Sequence, residues 1–305
     1  NTAIGDNALG ANTTATGNSA LGADSLKAAT TSNYNTAIGY QAGQAITTGS
    51  GHNACLGYGA GSAITTGAFN TALGATAFRL ETTGQYNTAG GYSALENFVG
   101  GSTNTAFGFK CMEGTEGSST SSNNTAIGAY ALYKTTTGTN NTALGLSALE
   151  QNTTGASNVA VGHAACQSMT TGENNVAVGR ESLRVQTTVS NNTAIGGYSL
   201  AQNTTGQYNS GLGANTLYDN TTGSGNVAVG YNALNENTTG AQNTAVGAFA
   251  LRDNTTASDN TAVGKSALIV NTTGEDNTAI GKDALVANTT GSRNTAVGSG
   301  ALDAL

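Results

Sequence analysis

The chain has 305 residues, a formal net charge of -7, 9% charged residues, 44 glycines and no proline. The acidic balance leaves no basic footprint for nucleic acid, and no apolar run approaches the ~18 residues needed for a membrane helix. Charge is far below the ~25% of ordinary globular domains, yet apolar residues recur at regular positions, which disordered tracts lack.

That regularity is an internal repeat. Asn-Thr-Ala-apolar-Gly first stands at 1–5 and returns to make 18 copies, spaced by 17 residues in 15 of 17 intervals. The exceptions are a step of 18 between Asn35 and Asn53 and one of 20 between Asn104 and Asn124. With the motif Asn as position 1, the unit is N-T-A-Φ-G-x-x-A-L-x-x-N-T-T-G-x-x, where Φ is apolar and x variable. Asn at position 1 and Gly at position 5 are invariant. Seventeen residues cannot hold two helices, since helical repeats need ~33 or more. A Gly and paired Thr in every unit also disfavour one long helix.

Two short strands and two turns fit the unit. The first strand spans positions 1 to 5, with β-branched Thr or Val at position 2. Gly at position 5 opens the first corner. A second strand is centred on Ala and Leu at 8 and 9. Asn-Thr-Thr-Gly makes the second corner, where Gly supplies a positive φ and Asn bonds its own turn. The fold class is therefore all-β: a parallel β-solenoid of about 17 residues per coil. Residues 1–305 form a single array of 18 coils, a rod roughly 85 Å long at ~4.8 Å per coil. The opening on the motif, without Met, suggests a segment of a longer chain.

Asn1, Asn35, Asn124, Asn192 and Asn277 exemplify a stacked structural ladder in which each amide bonds the next coil. Adjacent residues on a strand face opposite ways. The Leu, Ile and Val columns are therefore expected to fill the coil, leaving the Ala columns to pack against sister chains. All ten Lys and Arg fall at positions 6, 7, 10, 11 or 17, the expected solvated corners. Phe98-Val99-Gly100-Gly101 replaces one Thr-Thr turn, and three extra residues within 113–122 predict a surface bulge.

No catalytic constellation emerges. His52 and His163 lie six repeats apart, and Cys55, Cys111 and Cys166 read as buried thiols. Neither a phosphate loop, an HExxH, a Cys-x-x-Cys nor a calcium nonapeptide is present. No metal or cofactor is expected. Tyr40, Tyr58, Tyr92 and Tyr231 share position 6 and are candidate ligand-binding aromatics at exposed corners. The Thr pairs raise ice binding, and Asn-Thr-Thr is also a glycosylation sequon at Asn12, Asn152, Asn203, Asn220, Asn237, Asn254, Asn271 and Asn288.

At Asn-Thr-Ala-Ile-Gly the chain resembles the head repeats of trimeric autotransporter adhesins. It is also similar to arrays upstream of self-cleaving chaperone domains in phage tail fibres. The unit here is longer, with the extra residues in the Asn-Thr-Thr-Gly corner. The resemblance implies a left-handed β-roll assembled as a homotrimer, with an adhesive or fibre-forming role at a cell or virion surface. The expected function is a non-catalytic structural segment of an extracellular fibre. Its expected partners are copies of itself and host-surface or environmental glycans, without nucleic acid or membrane contact in this segment. A monomeric carbohydrate- or ice-binding solenoid and a polymeric filament are the alternatives.

Overall fold

The computed structural model describes residues 1–304, which fall into two compact units, 1–156 and from Ser157 onward. Each is a parallel β-solenoid without helix. The first carries β1 (Thr2–Ile4), β2 (Ser19–Leu21), β3 (Thr36–Ile38), β4 (Ala54–Leu56), β5 (Thr71–Leu73), β6 (Thr88–Gly90), β7 (Thr105–Phe107), β8 (Thr125–Ile127) and β9 (Thr142–Leu144). The second carries β10 (Val159–Val161), β11 (Val176–Val178), β12 (Thr193–Ile195), β13 (Ser210–Leu212), β14 (Val227–Val229), β15 (Thr244–Val246), β16 (Thr261–Val263), β17 (Thr278–Ile280) and β18 (Thr295–Val297).

Within each unit like stacks on like: Thr36 pairs with Ser19 and Ala54, and Val246 with Val229 and Val263. The longer steps do not disturb this register. Thr36 still meets Ala54 across the step of 18, and Thr105 meets Thr125 across the step of 20. The three extra residues are absorbed at the corner, where 115–118 are exposed and Ser119 bridges Phe98. The predicted bulge is there, and Phe98 enters the core.

The motif Asn bonds in two directions. Its Oδ1 accepts the backbone N–H of the next motif Asn, as from Asn35 to Asn18 at 2.7 Å and from Asn192 to Asn175 at 3.0 Å. Its Nδ2 donates to the carbonyl at position 15 of its own coil, as from Asn53 to Gly67 at 2.9 Å. One side chain thus closes its own coil and stacks it on its neighbour. Asn1, Asn35, Asn124, Asn192 and Asn277 all take part.

Four expectations need correction. First, each coil has one strand: positions 8 and 9 lie in turns. Leu132, Leu149 and Leu217, all at position 9, have φ of 49, 51 and 49°. A left-handed backbone is costly for Leu. It is held here by bonds to the next coil, such as Leu132 N–H to Ala148 O at 2.9 Å. Second, the strand alternation is inverted. Ala at position 3 is buried, while the large residue at position 4 faces outward, as in Ile38, Leu56, Ile127 and Ile280. A 17-residue coil is narrow, and its interior is already filled from the opposite wall by Leu at position 9 and by position 12. Only a small residue fits beneath the strand: Ala, Gly211, or Cys55, whose Sγ faces Gly61 in place of Leu at position 9.

Third, because positions 8 and 9 are not extended, Ala and Leu there are both buried, so no Ala column is left facing outward. Fourth, Gly at position 15 has no positive φ outside the 18-residue coil, where Gly49 has φ +95°. Its constraint is proximity: a Cβ on Gly138 would lie 2.5 Å from Gly155 O. The left-handed residues are instead at positions 5, 7, 9 and 17.

Gly at position 5 meets both constraints. Gly128 has φ +134°, and a Cβ there would lie 2.5 Å from Gly145 O. Gly128→Ala is expected to destabilise the first unit by about 2–4 kcal/mol through strain and backbone overlap. Asn243→Ala, which orphans Asn260 N–H and leaves Ala257 O with Asn254 Nδ2 as its remaining side-chain donor, should cost about 1–3 kcal/mol in the second. Hydrogen exchange resolved by coil checks both, with lost protection centred on the altered coil.

Candidate functional site

The outward side of the sheet is built by positions 2 and 4. In the first unit position 4 presents Leu21, Ile38, Leu56, Leu73, Phe107, Ile127 and Leu144, all exposed. Gly90 interrupts the column, and the Phe107 ring lies over the notch, 2.3 Å from where a Cβ would stand. In the second unit Ile195, Leu212, Val263, Ile280 and Val297 are exposed, with Val161, Val178, Val229 and Val246 half-buried. An exposed apolar patch of this extent is unusual on a monomer.

Positions 17 and 6 form the rims of this face. In the first unit both carry aromatic runs. Tyr34, Phe69 and Tyr86 at position 17, and His52 at the last position of its 18-residue coil, form a column with centroid separations of 5.1, 4.9 and 5.2 Å. The rim at position 6 holds Tyr40 and Tyr58, stacked at 5.6 Å, and Tyr92 stacked on Phe109 at 5.6 Å. In the second unit Tyr231 meets Phe249 edge-on at 5.4 Å. The four candidate tyrosines are thus exposed, at 46 to 58%, but only Tyr40 and Tyr58 are brought together. Stacking covers part of their ring faces with each other.

The second unit replaces aromatics with charges. Asp259 and Lys265 flank β16, and Asp276 and Lys282 flank β17, acid on the position-17 rim and base on the position-6 rim. Lys282 pairs locally with Asp283 at 3.1 Å, and Asp276 only loosely with Arg293 at 3.8 Å.

The Asn-Thr-Thr-Gly corner is a second ladder that the sequence reading missed. Asn220, Asn237, Asn254 and Asn271 donate Nδ2 to the preceding Asn Oδ1 at 2.7 to 3.1 Å, and each also donates to the position-15 carbonyl of its own turn. These amides are buried, as are those of Asn152, Asn203 and Asn288. A glycan on any of them would break the ladder, so the sequon reading fails there. The Thr hydroxyl at position 13 is also engaged, as from Thr238 to Thr255 O at 2.9 Å. Glu81 replaces the corner Asn in one coil and is buried. One carboxylate oxygen accepts the N–H groups of Thr82, Thr83 and Gly84 at 2.6 to 2.9 Å, and the other that of Gly100 at 2.9 Å. The Asn-to-Glu exchange at position 12 was the available signal.

Among the described residues, no group of three or more His, Cys, Asp or Glu gathers in metal-binding geometry. No helix is long and apolar enough to cross a membrane. Cys55, Cys111 and Cys166 are buried and free. His52 and His163 are exposed. No protein-family model matches the chain, and neither does any curated protein sequence.

Burial pushes the Cys55 and Cys111 thiols up to about 12, and Cys166 is raised for the same reason. A raised folded-state value means that the native protein holds these protons more tightly than the unfolded chain. The stabilisation is complete below about pH 8.5, the unfolded thiol value, and is lost as pH rises towards 12. Denaturant melts between pH 8 and 11 should show this decline. It should shrink in a Cys55→Ala, Cys111→Ala, Cys166→Leu variant, whose residues match the commonest ones at those positions. In the native wild-type chain, thiol reagents at pH 8 should label none of the three.

Proposed function

We propose that this chain is a structural, adhesive segment of an extracellular fibre at a cell or virion surface. It self-associates, as a trimer, through the outward face of its strands. The observation that carries this reading is the exposed position-4 column. A half-exposed Leu or Ile that becomes buried contributes on the order of 1 kcal/mol. The column as a whole, not one member, would drive association.

The rims favour a parallel, in-register arrangement around an axis along the stack. Neighbouring chains then meet position-17 rim to position-6 rim at the same coil. Aromatics meet aromatics beside β3, β4 and β6, and Asp259 and Asp276 meet Lys265 and Lys282 beside β16 and β17. An antiparallel pairing would juxtapose like rims and place acid beside acid. The solenoid serves as a spacer and scaffold, without a reaction to perform.

Light scattering of the purified chain should give three times the 30.0 kDa chain mass. Ile195→Asp with Leu212→Asp should lower it while β-sheet circular dichroism persists, because both side chains point away from the core. A mixture of Asp276→Cys and Lys282→Cys chains should cross-link readily under mild oxidation. Asp259→Cys with Lys282→Cys, one coil out of step, should not. A wild-type mass of 30.0 kDa at micromolar concentration would remove the self-association from this reading.

A further inference from the structure

Four tyrosines lie off the rims: Tyr130 and Tyr133, which pack edge-on in one coil of the first unit, and in the second unit Tyr198, at position 7, and Tyr218, at position 10 of the following coil. The latter two lie in the turn-built wall and not on the strand face. With Asn215, Asn232 and Asn235 they line a cavity of about 470 Å³ in the second unit, within the size range of small-ligand sites.

The rings are not stacked as the rim aromatics of the first unit are. Tyr198 and Tyr218 stand 6.4 Å apart at 65°, splayed around the cavity and not stacked. The Arg180 guanidinium sits over Tyr198, 5.4 Å from its centroid, and steadies that ring from the preceding coil. Asn235 is fixed by donating Nδ2 to Asn215 O at 2.9 Å. Asn232 is not satisfied: its Oδ1 is shielded from solvent and has no hydrogen-bond partner. Asp219 and Glu236 follow Tyr218 and Asn235 in sequence and line the adjoining hollow. Burial raises the Asp219 carboxyl. This acidic border disfavours an anionic ligand.

We infer that the Tyr198–Tyr218 groove is a binding site for a neutral glycan. A pyranose ring would lay its C–H face on Tyr218 and hydrogen-bond its hydroxyls to the amides of Asn215 and Asn232 that line the cavity. An aromatic face beside fixed amides matches that chemistry: the ring offers apolar area with a polar tip, and a few placed polar groups set orientation. The site lies off the strand face, so sister chains packed there would leave it open. The inference deepens the adhesive half of the proposed function and rests on it, but is independent of self-association.

The test uses the full chain on an array of neutral, sialylated and sulfated oligosaccharides, with neutral hits quantified by calorimetry. Neutral glycans should bind and acidic ones should not. Tyr218→Ala and Asn232→Ala should each weaken binding at least about tenfold. Tyr218→Phe, which keeps the ring, should bind nearly as wild type and controls for folding. Tyr40→Ala with Tyr58→Ala should leave binding unchanged.

No neutral binding at millimolar concentration, or binding indifferent to Tyr218→Ala, overturns the inference. Binding of acidic glycans, or binding lost with Tyr40 and Tyr58, sinks this groove while leaving an adhesive role standing. Light scattering on the same samples separates assembly: a monomer that binds neutral glycans retains this site and loses the trimer.

Discussion

The structure depends on the bidirectional hydrogen bonding of the motif Asn. Through Nδ2 it closes its own coil, and through Oδ1 it receives the next. The constraint repeats at every coil and fixes how closely backbones approach. Gly at position 5 follows from it: a side chain there would run into the carbonyl of the glycine above, as at Gly128 and Gly145. So does the like-on-like pairing. Once Asn stands on Asn, Thr stands on Thr and Ala on Ala whatever the corners do. Insertions of one and three residues are accommodated between ladders without shifting them.

A coil closed this tightly has little interior. Leu at position 9 and the residue at position 12 fill it from one side, which leaves room only for a small residue beneath the strand, or for Cys55 where Gly61 replaces the Leu. The larger residue at position 4 is thereby turned to solvent. The exposed apolar face is thus a geometric result of a small coil. It is retained through substitution among Ile, Leu, Val and Phe, and at Gly90 the Phe107 ring covers the gap. The interior is more tolerant of polarity than its size suggests. Position 12 holds Asn in a ladder that Gln186 joins, other residues such as Ala29, Ile46, Phe98, Thr135 and Met169 where the ladder is broken, and once Glu81, whose carboxylate is met by four backbone N–H groups. What it requires is that each polar group finds a partner, the usual condition for burial.

In the proposed function, recognition divides by wall. The strand face is apolar, with an acidic and a basic rim beside β16 and β17, and is the surface offered to another copy of the same chain. The turn-built wall is where individual residues depart from the repeat, and there the rings splay and an amide oxygen goes unpaired. A regular column such as Tyr34, His52, Phe69 and Tyr86 satisfies its own faces by stacking. An irregular pair such as Tyr198 and Tyr218 does not.

The sequence alone determined the solenoid, its period, its parallel register, the Asn ladder, the solvated corners and the burial of the cysteines. Each is a property of a column, and a period displays columns directly. It could not tell which side of the strand faces inward. Alternation establishes only that Ala and Ile point opposite ways; the choice is made by how much space the opposite wall leaves. Nor could it show that Ala and Leu at 8 and 9 sit in left-handed turns, because those φ values are held by bonds to the next coil and not by local propensity. The Asn at position 12 looked like a turn residue with an accessible amide, and only stacking made it a buried ladder. The Tyr198–Tyr218 groove was illegible for the same reason. Its residues come from three coils and meet only when those coils are stacked.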